Sequence, residues 1–386
     1  MSSNGAIVRF GDLCEYDRRQ GLHAGLPYLG LEHIESGSGR FDLSETNQDA
    51  KSQTFRFTDR HVLYGRLRPY LKKVALPDRD GRCSTEIFPI LPKDRTDRRY
   101  LAYWLLSDVT TTAINATCTG ARMPRADMHA VLDLPIYAPS LEEQYRIVAL
   151  LDEAFEGIAT AKANAEKSLR CAREVFSATL IQTFSAKHAD WETTTIGDCT
   201  EFIDYRGKTP SKIESGLRLI TAKNVKMGYL QREPEEFVAP DSYDAWMTRG
   251  IPVKGDVLFT TEAPCGNVAQ LDTDEKVVFA QRIIIMQPDA KRLDSTLLKY
   301  ALLSPVLQKR IQEKATGATA IGIKASLLRT IEISFPRELN EQALIVERLD
   351  ALQAETQRFE SLYTRKLVAF DELKQSLLRR ALSGQL

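Results

Sequence analysis

Two stretches of the chain, residues 140–186 and 338–383, carry apolar side chains at helical spacing and contain no proline. Gly157 is the one helix-weakening residue in the first, and the second has none. Both are built from Leu, Ala, Glu, Gln, Lys and Arg, the residues that lose least on entering a helix. A heptad laid on the second stretch aligns Ile345, Leu352, Phe359, Lys366 and Leu373 in one seam. The other seam holds Leu349, Thr356, Tyr363, Phe370 and Leu377. Moving 198 residues upstream places Ile147, Ala154, Ala161, Ser168 and Val175 beside Leu151, Ile158, Ala165, Ala172 and Thr179. One surface is bulky and its counterpart is rich in alanine, which lets two helices approach closely. The pattern predicts two long antiparallel, coiled-coil-like helices, each of roughly 70 Å at 1.5 Å per residue. Their pairing is expected through Ile147, Leu151, Ala154, Ile158, Ala161 and Ala165 on one helix. On the other it is expected through Ile345, Leu349, Leu352, Phe359, Tyr363 and Phe370.

Elsewhere the periodicity shortens. β-branched and aromatic runs at residues 61–64, 86–91, 257–261 and 277–287 read as strands, and residues 99–112 and 296–314 read as helices. The same order occurs twice. Gly120, Ala121 and Pro139 fall on Gly317, Ala318 and Pro336 at an offset of 197, and Tyr103 with Leu105-Leu106-Ser107 falls on Tyr300 with Leu302-Leu303-Ser304. At 198, Glu143-Gln144, Ile147-Val148 and Leu151-Asp152 meet Glu341-Gln342, Ile345-Val346 and Leu349-Asp350. A period this long is a duplicated domain, not a solenoid. Two like units in one chain tend to sit about a pseudo-twofold axis. The expected fold is α+β: two pseudo-twofold-related α/β domains, residues 1–138 and 189–336, separated by helical spacers at 139–188 and 337–386.

Composition narrows the class without naming a chemistry. The 386 residues hold 52 Lys+Arg against 52 Asp+Glu, with 43% hydrophobic and 27% charged positions, ordinary for a globular chain and too apolar for disorder. There is no run of about 18 apolar residues and no basic-then-apolar leader, so no membrane span is expected and the cytoplasm is the expected location. Six cysteines are scattered singly, and five histidines form no metal-binding spacing. No phosphate-binding loop survives inspection: after Gly317 and Gly322, Ile323 stands where the motif needs Lys. No nucleophile elbow, dinucleotide fingerprint or Asn-Pro-Pro-aromatic tetrapeptide occurs.

Binding chemistry is more promising. Residues 60–77 hold Arg60, Arg66, Arg68, Lys72 and Lys73 with Tyr64 and Tyr70 and no acid. Residues 205–226 hold Tyr205, Arg206, Lys208, Lys212, Arg218, Lys223, Asn224 and Lys226 against a single Glu214. The loops after the repeated glycines add Arg122 and Arg125, and Thr319 and Lys324. The two domains are not basic as wholes, with 19 basic and 17 acidic groups in the first and 19 and 20 in the second. Clusters, however, are what neutralise phosphates. DNA contacts are expected from these residues, Arg218 excepted.

Three stretches carry a resemblance. Thr316 to Pro336 reads T-G-A followed by L-x-x-I-x-I-x-x-P, with a looser copy from Thr119 to Pro139. The helix start E-Q-x-x-I-V-x-x-L-D occurs at Glu341 to Asp350 and at Glu143 to Asp152. The end reads K-Q-S-L-L-R-R-A-L-S-G from Lys374. The chain is similar over nearly its full length to the specificity subunit of type I restriction–modification systems. In the first copy Arg122-Met123-Pro124 stands where the second has Thr319-Ala320-Ile321. The resemblance implies two target recognition domains, each reading half of a split sequence in double-stranded DNA. It also implies helices that set the gap and dock two methyltransferase subunits, with motor–nuclease subunits joining the complex. S-adenosylmethionine, ATP and Mg would belong to those partners, leaving this chain non-catalytic and without a cofactor. The rival reading is a coiled-coil scaffold that joins protein partners and binds no DNA.

Overall fold

The computed structural model describes residues 5–43, 52–120, 122–185, 189–205, 210–317 and 321–385. The chain forms two compact units, Met1–Glu166 with Thr364–Leu386, and Lys167–Tyr363. In unit one, an antiparallel sheet runs in the order Cys14–Tyr16, Ile87–Pro92, Val62–Gly65, Val74–Ala75. A ribbon pairs Ala6–Arg9 with Pro135–Ala138. Unit two repeats both. Its sheet is Thr200–Asp204, Ile283–Pro288, Val257–Thr260, Val268–Gln270, and its ribbon pairs Trp191–Thr195 with Glu332–Pro336.

The second sheet of each unit is where the copies part. Both contain one parallel pair, Tyr28–Leu29 with Gly81–Cys83 and Leu217–Ile220 with Val278–Phe279. In unit one Thr54–Phe57 adds to Gly81–Cys83. In unit two Phe237–Val238 adds to Leu217–Ile220, on the other side of the pair. The first part of each copy is therefore rewired around a shared frame.

Each predicted helix after the main sheet is two helices. Arg98–Leu106 gives way to Asp108–Ala116, and Ser295–Leu303 to Pro305–Lys314. The break falls on Ser107 and Ser304. Each adopts extended backbone and accepts the amide of the residue three further on through its hydroxyl, at 3.2 Å in both copies. A serine cap of this kind ends one helix and starts the next. Asp97 and Asp294 cap the preceding helices in the same way.

The long helices are Leu141–Ser185 and Leu339–Ala381. In unit one Ile147, Val148 and Leu151 share a core with Leu378 and Ala381, and Lys162 Nζ lies 2.7 Å from Asp371. In unit two Leu180 and Phe184 share a core with Leu349, and Arg173 Nε lies 2.6 Å from Glu360. Within each unit the helices thus run antiparallel. Of the expected seam, Ile147, Leu151, Ile158, Ala165 and Leu349 are buried. Ala154, Ala161, Ile345, Leu352, Tyr363 and Phe370 are half-buried. Phe359 is a correction: it is 42% exposed and stands outside the seam. The inward row runs Ile345, Leu352, Glu360, Leu367, Lys374, Ala381, one residue later than a heptad from Glu360 onward. A straight helix of 3.6 residues per turn drifts by this amount against a strict seven-residue repeat.

Candidate nucleic-acid interface

The basic, tyrosine-bearing segment of unit one is held as a tight corner. Arg68 and Lys72 both sit in the left-handed region, with φ of 53° and 48°, on either side of Pro69–Leu71. Positive φ at a non-glycine residue is sterically costly and persists only where the surroundings fix it. Here the fixing element is the glycine-bearing loop. Thr119 and Arg125 exchange backbone hydrogen bonds of 3.1 and 3.0 Å, closing the loop. The Arg68 amide donates to Pro124 O at 2.8 Å, and the Ala126 amide donates to Arg66 O at 2.9 Å. Corner and loop form one ridge, with Arg68, Tyr70, Arg122 and Met123 exposed along it and Arg66 and Arg125 half-buried. Arg60 is exposed at the other end of the Val62–Gly65 strand, beside Asp59 and Pro77 that Arg98 bridges. Glu86 accepts from Arg125 Nε at 3.0 Å and stands 3.7 Å from Arg66.

Unit two builds the same frame from different residues. Ala263, φ 49°, precedes Pro264 as Arg68 precedes Pro69. Thr316 and Gly322 exchange bonds of 2.8 and 3.0 Å, and the Ile323 amide donates to Thr261 O at 2.9 Å. The ion pair beside the loop is Glu262 with Arg282 at 2.8 Å. Ile321 and Lys324 are exposed there.

Several expected DNA contacts belong instead to the scaffold. Tyr64 is 1% exposed, packed with Val62, Phe88, Tyr100 and Ile114 between sheet and helix, where no duplex reaches. Lys73 Nζ donates to Leu31 O and Ile34 O, and Lys72 pairs with Asp108. Asn224 is wholly buried. It accepts from the Thr221 amide and hydroxyl and donates to the carbonyls of Gln231, Arg232 and Pro234, so its amide is saturated by its own loop. Tyr205 is buried, donating to Gly250 O and accepting from the Arg249 amide. Lys212 is tied to Glu236 at 2.8 Å. Lys226 lies half-buried in a turn closed by its amide on Tyr229 O, and Lys223 is exposed. Arg206, Lys208 and Thr319 lie outside the described residues.

Two arrangements escaped the sequence reading, although it named Arg66 and the repeated Glu-Gln pair themselves. The glutamine of the repeated E-Q motif is a clamp. Gln144 accepts the Asp97 amide at 2.9 Å and donates to Arg95 O and Pro139 O at 3.2 and 3.0 Å. Gln342 makes the same three bonds to Asp294, Arg292 and Pro336, each 2.7 Å. The motif's final aspartates, Asp152 and Asp350, accept the hydroxyls of Tyr103 and Tyr300. The second arrangement is a concavity of about 490 Å³ in unit one, lined by Tyr16, Arg18, Phe55, Arg66, Phe88 and His129 among others. Arg18 and His129, 111 residues apart, meet there at 3.0 Å.

Burial pushes the Cys14 thiol up to about 12 and the Cys199 thiol up to about 11, so neither is poised as a nucleophile. Among the described residues no group of three His, Cys, Asp or Glu side chains could hold a metal ion, and no helix is long and apolar enough to cross a membrane.

The α+β module thus occurs twice, each copy joined to long antiparallel helices and presenting a corner-and-loop ridge. The family model of the type I restriction modification DNA specificity domain matches residues 50–168 and 188–362. The chain belongs to that family: it is a type I restriction–modification specificity subunit, and its role is DNA sequence recognition. Among its relatives is the specificity subunit of the Escherichia coli type I restriction enzyme EcoDI. It is 28% identical over 130 residues, covering 33% of this chain and 29% of that protein. The MjaVIII specificity subunit of Methanocaldococcus jannaschii is 22% identical over 373 residues, 90% of this chain and 85% of that one. A solved structure described as the structural basis of complex assembly and conformational transition of the type I R-M system superposes with a TM-score of 0.84. It is 23% identical and covers 99% of this chain and 98% of its own. The HsdS subunit from Thermoanaerobacter tengcongensis gives 0.63 at 22% identity, over 99% and 97%.

Proposed function

We propose that each unit reads one half of a bipartite double-stranded DNA target, and that the two long helices set the gap and dock two methyltransferase subunits. Motor–nuclease subunits join through the assembled complex. The chain itself acts without catalysis or cofactor, in the cytoplasm, and S-adenosylmethionine, ATP and Mg serve the partners. The recognition domains are taken as residues 1–138 and 189–336, with spacers at 139–188 and 337–386. The observation that carries this reading is the ridge built twice on one backbone plan with different side chains: Arg68, Tyr70 and Arg122 in one copy, Ala263, Ile321 and Lys324 in the other. Like frames with unlike surfaces suit two unlike half-sites, because base-edge contacts specify while phosphate contacts only position. The gap-setting role rests on the unbroken helix Leu141–Ser185, to which both units contribute. Exposed Leu344, Leu362, Val368 and Leu373 on the C-terminal helix offer apolar surface for a protein partner.

The test is removal of seven residues, two turns or about 10.5 Å, from each long helix between the globules. Assembled with methyltransferase subunits, the folded variant should modify the same half-sites at a gap shortened by about 3 base pairs, at 3.4 Å per step. An unchanged gap refutes the spacer role. Loss of sequence preference at every salt concentration in the wild-type complex would favour the scaffold reading instead.

A further inference from the structure

The concavity in unit one holds two arginines arranged unlike those on the exposed ridge. The Arg18 guanidinium lies 5.2 Å over the Tyr16 ring and Arg66 lies 5.2 Å over the Phe88 ring. Stacking covers one face of each cation and fixes the plane in which its N–H groups point. Arg18 is further tethered to His129 at 3.0 Å. Arg66 is oriented by Glu86, but at 3.7 Å the carboxylate is beyond hydrogen-bond reach, and Arg66 Nε is buried without an acceptor. Gln20, Phe55 and Thr119 complete the wall, and Thr119 is the residue that closes the ridge loop. The hollow therefore opens beside the ridge rather than at a remote face.

We propose that Arg18 and Arg66 are specificity-determining residues that read acceptor-rich purine edges, guanine N7 and O6, in the half-site engaged by unit one. This rests on the proposed function above. A planar guanidinium of fixed orientation matches the two acceptors of guanine in the major groove, and this is the commonest specific side chain–base pairing. A phosphate needs no such fixed plane and is served by exposed cations, which Arg68 and Arg122 already supply on the ridge. The two arginine positions differ between the copies. Through the sheet registers, Tyr16 corresponds to Phe202 and Gly65 to Thr260, so Asp204 and Thr261 occupy the two arginine positions in unit two. Neither of these two positions carries an arginine in unit two, where Arg329 lies 4.2 Å over the Phe202 ring instead, so that half-site is read by a different set of groups.

The experiment sequences methylated sites made by the assembled complex carrying Arg18→Ala, Arg18→Lys, Arg66→Ala, Arg66→Lys or Arg68→Ala, each checked by its melting curve. The lysine variants keep a cation beside the ring and guard against mistaking lost folding for lost reading. Wild type should show guanine in the half-site that these variants affect. Each alanine variant should relax discrimination at one position there by about tenfold to a hundredfold, lysine should not restore it, and the other half-site should be unchanged. Arg68→Ala should lower modification evenly across sequences. Even loss from Arg18→Ala and Arg66→Ala, with the motif intact, overturns base reading while leaving DNA recognition standing. A wild-type complex with no motif at all overturns both.

Discussion

Replacing Gln342 by alanine should loosen one corner of unit two while leaving the equivalent corner of unit one intact. The side chain is wholly buried and joins three elements: the cap of Ser295–Leu303, the end of Glu332–Pro336 and the start of the C-terminal helix. Its three bonds, each 2.7 Å, satisfy one amide and two carbonyls. Leaving a buried backbone group unpaired costs about 1–3 kcal/mol. One of the three bonds is fully buried and two are partly so. Water will therefore recover part, and a total of about 3–5 kcal/mol follows. Hydrogen exchange reads this directly. At about 1.4 kcal/mol per tenfold, a loss of 3 kcal/mol speeds exchange of the Asp294, Thr296 and Leu297 amides by roughly a hundredfold in the regime where local opening limits protection. Residues 92–101, clamped by Gln144, serve as the reference inside the same molecule. Protection of residues 289–298 within a factor of ten of wild type refutes the clamp. So does an equal loss in both copies, which reports global unfolding.

The remaining predictions address burial and charge. Tyr64→Ala should cost about 3–5 kcal/mol in chemical unfolding, as for other large core aromatics. Arg68→Ala should change stability by under about 0.5 kcal/mol yet reduce the salt slope of DNA binding by about one. The opposite pattern would return Tyr64 to the surface. Burial raises the Asp256 carboxyl above its usual 3.8, against hydrogen bonds from the Val253 amide at 2.8 Å and Gln287 Nε2 at 2.7 Å. The folded state then holds this proton more tightly than the unfolded chain, so its contribution to stability falls as pH rises from 3.8 through the raised folded value. The stability of wild type minus that of Asp256→Asn should decline across that window and level off above it. A difference that grows with pH contradicts the assignment.

The long helices were legible because a proline-free apolar period needs no tertiary information, and the duplication because both copies keep Tyr, Leu-Leu-Ser and Glu-Gln at matched positions. The heptad misplaced Phe359 because a seven-residue template accumulates error along a straight helix. The breaks at Ser107 and Ser304 carried a readable signal: serine ahead of Asp108 and of Pro305, a capping residue followed by favourable first-turn residues. The binding face was legible only as composition. Residues 62–65 are buried on every side because the strand lies between other layers, so Tyr64 could not be told from a surface tyrosine by its basic neighbours. Arg18, Arg66 and His129 converge through sheet register and loop docking, for which local sequence holds no pattern. Asn224 looked like a base reader, and its saturation by three carbonyls and a threonine emerges only once the loop has closed.

The most direct test of two unlike readers on one chain is a genome-wide map of methylated bases in cells with and without this gene, the methyltransferase partner being present in both. A two-part motif with a fixed gap and non-identical halves, found only when the gene is present, is the predicted result. A map that does not change when the gene is removed, or that shows one continuous motif, contradicts it.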